Sequence, residues 1–128
     1  MALFRTDSLT LSYSNVEAAK QWWIHTFGCK VVTAPDDWDN PLPSDVALTL
    51  PGDDSPTVRL CDKAEALRAG FGRTNPVVSI VFSDKLKKAH ECVCNRGAAA
   101  GPIQDGGDMQ FFEVRDTEGN LIQVCQET

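Results

Sequence analysis

Apolar and small or polar residues alternate along residues 8–15 (SLTLSYSN) and again along 77–84 (VVSIVFSD). Period two is the pattern of a strand with one buried face. Tyr13-Ser14-Asn15 corresponds to Phe82-Ser83-Asp84 at a shift of 69 positions. Asn15 and Asp84 are good helix N-caps, because a short polar side chain can accept from the free amides of the next turn. A helical stretch follows each: VEAAKQWWIHTF up to Gly28, and KLKKAHECVCNR up to Gly97, again 69 apart. Glycine suits a helix end because it adopts positive φ without strain. The pattern predicts two copies of one strand–cap–helix–glycine unit.

Short strand candidates separated by turn residues complete each copy. In the first they are residues 29–34, 45–50 and 57–62; in the second, 98–103, 109–115 and 121–126. Gly106-Gly107 and DTEGN (116–120) supply turns in the second copy. Residues 63–70 predict an extra helical turn between the copies. The expectation is a βαβββ unit used twice, an α+β chain with no linker or low-complexity segment.

Composition narrows the setting without naming a chemistry. The 128 residues suit one domain, and the net charge of −6 makes a phosphate backbone an unfavourable partner, so no nucleic acid is expected. No apolar run approaches the roughly 18 residues of a membrane helix, and MALFRTDSLT is too short and polar for a secretory leader. No membrane association and a cytoplasmic location are the resulting expectations. The five cysteines, Cys29, Cys61, Cys92, Cys94 and Cys125, are odd in number and read as free thiols.

The helix start NVEAAKQWW followed by FG, and the ending FFEVRDTEGNLIQV, resemble the glyoxalase / bleomycin-resistance / dioxygenase superfamily, also called the vicinal-oxygen-chelate superfamily. The likeness spans nearly the whole chain, although Thr117 stands where the family's turn usually has proline. It implies a single domain over 1–128, with module one at about 5–62 and module two at about 75–128. Two βαβββ modules would have curled mixed sheets forming a cleft, with the helices packed outside. A homodimer is implied as well.

Enzymes of that superfamily commonly hold a metal through a histidine opening each module and a glutamate on each module's last strand. By position these fall on Ser8, Val77, Arg59 and Gln123. Valine has no donor atom, arginine is a permanent cation, and serine and glutamine are weak neutral donors. No metal and no other cofactor is therefore expected. His25 and His90 lie within the helices, where a structural role is the simpler reading.

Strand alternation then proposes what lines the cleft. Leu9, Leu11 and Tyr13 share one face of their strand, as do Val46, Leu48 and Leu50, then Val58 and Leu60, then Val78, Ile80 and Phe82. Those faces are expected under the helices. Thr49, Arg59 and Ser79 fall on the opposite faces, with Met109, Phe111, Glu113 and Gln123 placed in the cleft by the superfamily's layout. Arg59 and Glu113 either orient a polar ligand or pair with each other. Trp38, among Asp36, Asp37 and Asp39, either stacks on a cationic or planar ligand or packs on a second copy.

The leading expectation is a metal-independent protein that binds a small molecule in the cleft and sequesters an antibiotic or other cationic or planar ligand. The candidate ligand-binding residues are Trp38, Thr49, Arg59, Ser79, Met109, Phe111, Glu113 and Gln123. The alternative is a metal-independent lyase or isomerase of the superfamily with Glu113 as general base. Cys61 or Cys125 as nucleophile is weaker, since neither has a base nearby in sequence.

Overall fold

A computed structural model describes residues 3–71 and 77–127. The expected start of the second module, at about residue 75, lies outside the described residues. The elements run β1 (Leu9–Tyr13), α1 (Val16–Phe27), β2 (Lys30–Val32), β3 (Val46–Thr49), β4 (Val58–Asp62), α2 (Lys63–Arg68), β5 (Val78–Phe82), α3 (Leu86–Asn95), β6 (Ala99–Ala100), β7 (Gln104–Asp105), β8 (Met109–Arg115) and β9 (Leu121–Glu127). They form two mixed sheets, β1-β4-β3-β2 and β5-β9-β8-β6, with β7 also on β8. In each sheet the strand before the long helix runs parallel to the module's last strand. This is the expected α+β class with its two βαβββ units.

One core serves both modules. Leu11, Tyr13, Trp23, Phe27, Leu48 and Leu60 from the first pack in the same cluster as Val81, Ala89, Val93, Phe112, Ile122 and Val124 from the second. The helices meet directly: the Arg96 guanidinium donates to the Thr26 carbonyl, and His25 Nε2 donates to the Arg96 carbonyl at 2.7 Å. A backbone bridge between Arg5 and Phe82 ties the segment before β1 to β5 of the second sheet. Among the described residues, no helix is long and apolar enough to cross a membrane.

The repeat is in register at 70 positions, not 69. Pairing sets Thr10 beside Arg59 and Ile80 beside Gln123, and the buried faces of the helices align as Val16 with Leu86, Ala19 with Ala89, and Trp23 with Val93. This reverses the face assignment on β5. Val78 and Ile80 are 61% and 40% exposed, whereas Ser79 is 8% exposed and Val81 is fully buried. Ser79 pairs with the core residue Ile122, so it turns inward and is not a wall of an open face. The run VVSIVF is apolar at five of six positions, so alternation could not tell its two faces apart.

The helix starts differ for the same reason. Asn15 caps α1 as expected, accepting from the Ala18 amide at 3.0 Å, and Gly28 closes that helix at φ 74°. Asp84 does not cap α3; it makes an exposed pair with Arg5. The first amide of α3, Leu86, is taken by Gln126 Oε1 from β9 at 3.0 Å, and Gln126 Nε2 holds the Asp84 carbonyl. A long-range partner replaces the local cap, which no local rule reports.

The DTEGN turn ties the modules together. Asp116 Oδ1 accepts the amides of Glu118 and Asn120, while Oδ2 accepts the Tyr13 hydroxyl at 2.6 Å and Asn120 Nδ2 at 2.8 Å. The Glu118 carboxylate accepts the Ser14 and Asn15 amides, at 2.9 and 2.8 Å. Burial pushes the Glu118 carboxyl up, but those two amides, together with the Lys63 charge and the Ser14 hydroxyl, outweigh it and hold it below the usual glutamate range. The charged form is thus preferred in the folded state, and the stability it confers is present above the ordinary glutamate pKa of about 4.3 and lost as pH falls. Glu118→Gln is expected to cost about 1 kcal/mol at neutral pH, with the difference from wild type shrinking by pH 3. Urea unfolding across that range checks it; a difference that does not change with pH would show that the charge has no part.

Candidate ligand-binding site

Arg59, in the middle of β4, organises a pocket on the open face of the first sheet. Its neighbours in register are Thr10 on β1 and Ala47 on β3. Nε donates to Asp45 Oδ1 at 2.9 Å and Nη2 to Asp45 Oδ2 at 3.0 Å, a bidentate pair. Nη1 donates to the Asp39 carbonyl at 2.9 Å and Nη2 to the Asn40 carbonyl at 2.8 Å. The rings of Trp38 and Phe71 lie over the same guanidinium, with centroids 5.0 and 5.2 Å from its carbon.

Local chemistry explains why the loop reaches this cation. Asn40 sits at φ 49°, a left-handed conformation that asparagine tolerates better than most side chains. Asp45 also closes the loop on itself by accepting the Leu42 amide at 2.9 Å. Ser44 tethers it to α2: its hydroxyl donates to Glu65 and accepts the Asp62 amide. Asp62 caps α2 through the Glu65 amide, and after that helix the chain turns back so that the Phe71 amide reaches the Ala66 carbonyl. One short helix thus anchors the loop and delivers the second ring.

The pocket has a volume of about 460 Å³ and is lined by Trp38, Asp39, Asn40, Phe71 and Arg59, with Thr10 from β1, Ser8 just before it and Thr57 beside them. That volume falls within the range of small-molecule sites, roughly 300–1,000 Å³. Of the residues expected from the sequence, Trp38 and Arg59 line it. Thr49 is half-buried on the face of β3 that Ala47 shares, and it is not among the lining residues. Met109, Phe111, Glu113 and Gln123 sit together on the open face of the second sheet, where Gln123 Nε2 donates to Glu113 Oε2 at 3.2 Å. Arg59 and Glu113 do not pair with each other; each has a partner within its own sheet.

Sequence reasoning passed over Asp45 and Phe71. Asp45 has a legible signal, since it shares strand parity with Ala47, the residue opposite Arg59. Phe71 has none, because its position depends on how α2 ends.

The remaining reactive side chains serve the fold. Burial pushes the Cys61 thiol up to about 11 and the Cys29 thiol up to about 12, and it also raises Cys125. A thiol held protonated is a poor nucleophile, which disfavours Cys61 and Cys125 as attacking groups. His90 Nε2 faces the Gly101 carbonyl at 2.8 Å and so carries a proton there, with the ring edge-on to Phe112.

The metal positions implied by the superfamily do not fit an ion. With the register at 70, the partner of Ser8 becomes Val78, which like Val77 has no donor atom. Arg59 adds a fixed positive charge whose donors are already engaged. Among the described residues, no group of three or more His, Cys, Asp or Glu is placed to hold a metal.

The fold itself is a known one. It superposes on TnmS3, an antibiotic-binding protein from Streptomyces sp. CB03234, at a TM-score of 0.71 with 17% identity over 97% of both chains. It matches a glyoxalase / bleomycin resistance protein / dioxygenase superfamily member from Sphaerobacter thermophilus at 0.70, with 18% identity over 96% of this chain and 98% of that one. A lactoylglutathione lyase from Agrobacterium tumefaciens matches at 0.70, with 17% identity over 93% and 91%. The chain has the glyoxalase / bleomycin-resistance / dioxygenase fold. No family signature and no curated protein matches its sequence.

Proposed function

We propose that this protein binds a planar, neutral or cationic small molecule in the Trp38–Phe71 pocket without using a metal, and that it acts by sequestering the ligand. The observation that carries this reading is a pocket of ligand size walled by two aromatic rings, whose one cation is already neutralised by Asp45. Among the described residues, such a site offers contact area, the hydroxyl groups of Ser8 and Thr10 and the acidic residue Asp39, with no hydrogen-bonded pair of base and nucleophile on its wall. Binding without turnover is what it can do chemically. The likeness of fold to an antibiotic-binding protein supports the ligand class.

A second copy of the chain belongs to the proposal. The open face of the second sheet presents Val78, Ile80, Met109 and Phe111, an apolar surface suited to facing the pocket of a partner subunit in the cytoplasm. The enzyme alternative with Glu113 as base has less support, because Glu113 lies on the other sheet, bonded to Gln123.

The test is titration with bleomycin and a set of planar aromatic antibiotics, followed by thermal shift and by mass spectrometry of the recovered ligand. A saturable rise in melting temperature with intact ligand is expected, because a ligand that binds only the native state stabilises it. Trp38→Ala should weaken the affinity about tenfold or more, the loss of one well-packed aromatic wall. Full affinity in Trp38→Ala would place the ligand elsewhere, and chemical change of the ligand would favour the enzyme.

A further inference from the structure

The guanidinium of Arg59 lines the pocket, yet the pocket gains almost no net charge from it. The reason is Asp45, whose two oxygens take Nε and Nη2 at 2.9 and 3.0 Å. The side chains of the pair are only 11% and 7% exposed, so solvent and salt screen the two charges from each other very little. Arginine has five N–H donors. Four are taken, two by Asp45 and two by the carbonyls of Asp39 and Asn40. Among the described residues, one N–H on Nη1 is left for a ligand oxygen. A neutral acceptor such as a quinone or amide carbonyl can take that bond without meeting a net positive charge.

From this geometry we infer that Asp45 sets the charge preference of the pocket: by neutralising Arg59 from behind, it makes the site accept uncharged or cationic planar ligands and discriminate against anionic ones. The inference rests on the binding reading above and adds which ligands are admitted. Asp45 does not line the pocket, so it is a positioning residue acting through Arg59. Removing its charge leaves an uncompensated guanidinium on the wall, and removing Arg59's charge leaves an uncompensated carboxylate. The two changes should therefore move selectivity in opposite directions, which a merely structural role would not do.

The experiment uses two planar probes of matched shape and opposite charge, anthracenecarboxylate and aminomethylanthracene, titrated into the full chain. The quantity read is the ratio of their affinities within each variant, so a general loosening of the pocket cancels. Wild type should favour the cation. Asp45→Asn should move the ratio about tenfold toward the anion, and Arg59→Gln about tenfold toward the cation, the scale of one unpaired charge at a partly solvated site. The double variant Asp45→Asn with Arg59→Gln removes both charges and should return close to the wild-type ratio; it also serves if a single variant does not fold. Folded variants that keep the wild-type ratio, shift it the same way, or lose both probes would overturn the inference and leave the binding reading intact. Wild type that binds neither probe, nor any ligand of the wider set, would instead remove the binding reading.

Discussion

Replacing Asp116 with alanine is expected to lower the stability of the protein by about 3–4 kcal/mol, and its melting temperature by about 10 °C or more. Four hydrogen bonds end on this one carboxylate, two from turn amides and two from side chains. The Tyr13 hydroxyl is the costly one to abandon. Tyr13 is fully buried, and its oxygen also accepts the Trp23 indole N–H at 3.0 Å. Without Asp116 the proton of this buried hydroxyl loses its acceptor, and a stranded buried donor costs more than the bond was worth. Tyr13→Phe removes donor and hydroxyl together and should cost less, about 1–2 kcal/mol, because only the Trp23 N–H is then left unpaired. Burial first, then the charge of Asp116, pushes the Tyr13 phenol up, well above its usual range. A raised pKa means that the folded state holds the proton, so this contribution is present below about pH 10 and lost as pH rises through and above it. Guanidinium unfolding of the two variants decides the matter. Equal losses, or a loss under 1 kcal/mol for Asp116→Ala, would show that the turn does not hold the modules.

How much of this could be read in the sequence divides along one line. Features that depend on neighbours in the chain were legible: the longer strands, though not β7 at Gln104–Asp105, α1 with its Asn15 cap and Gly28 close, and the turn at 116–120. Features set by partners far away were not. α3 begins at Leu86 because Gln126 reaches it from β9, and so the expected cap at Asp84 and the 69-residue register both miss by one position. That single position turns Ser79 inward and Ile80 outward. On β8 both faces carry apolar residues, so the superfamily's layout and not the local pattern put Met109, Phe111 and Glu113 together opposite Phe112 and Val114; in the fold Phe112 and Val114 are the buried pair.

The site shows the same division. Arg59 on the open face and Trp38 in an acidic loop were both visible as residues, but the choice of partner was not. Glu113 and Asp45 are both carboxylates, and local pattern alone does not choose between them. The decision is made by strand pairing: Ala47 lies opposite Arg59, and Asp45 is the next residue of that parity, at the strand's entrance. Once Asp45 is chosen, the loop must come with it, because the same carboxylate closes the turn at Leu42. The middle of β4 thus carries a cation whose partners are built into the chain.

That arrangement makes Arg59→Ala the other substitution with a large expected effect. It strands the Asp45 carboxylate, 7% exposed, with the Leu42 amide as its one remaining partner, and breaking a buried pair from one side typically costs about 3–5 kcal/mol. Removing both partners should behave differently. Arg59→Met with Asp45→Leu leaves no buried charge behind, and the carbonyls of Asp39 and Asn40 belong to exposed residues that water can satisfy. Its stability is expected to lie within about 2 kcal/mol of wild type. The pocket should nonetheless be lost, since two apolar side chains, unlike the amides of Asp45→Asn with Arg59→Gln, offer no hydrogen bond to each other or to the Asp39 and Asn40 carbonyls that would draw the loop and Trp38 toward β4. Urea unfolding gives the two stabilities, and Trp38 emission, isolated by subtracting the matching Trp38→Phe protein, gives the position of the loop. If the double variant were as unstable as Arg59→Ala, the pair would be a main support of the fold. If it kept the Trp38 emission of wild type, the loop would close without the Arg59–Asp45 pair. The expected result is a stable protein with an open loop, which would show that the Arg59–Asp45 pair serves the site more than the fold.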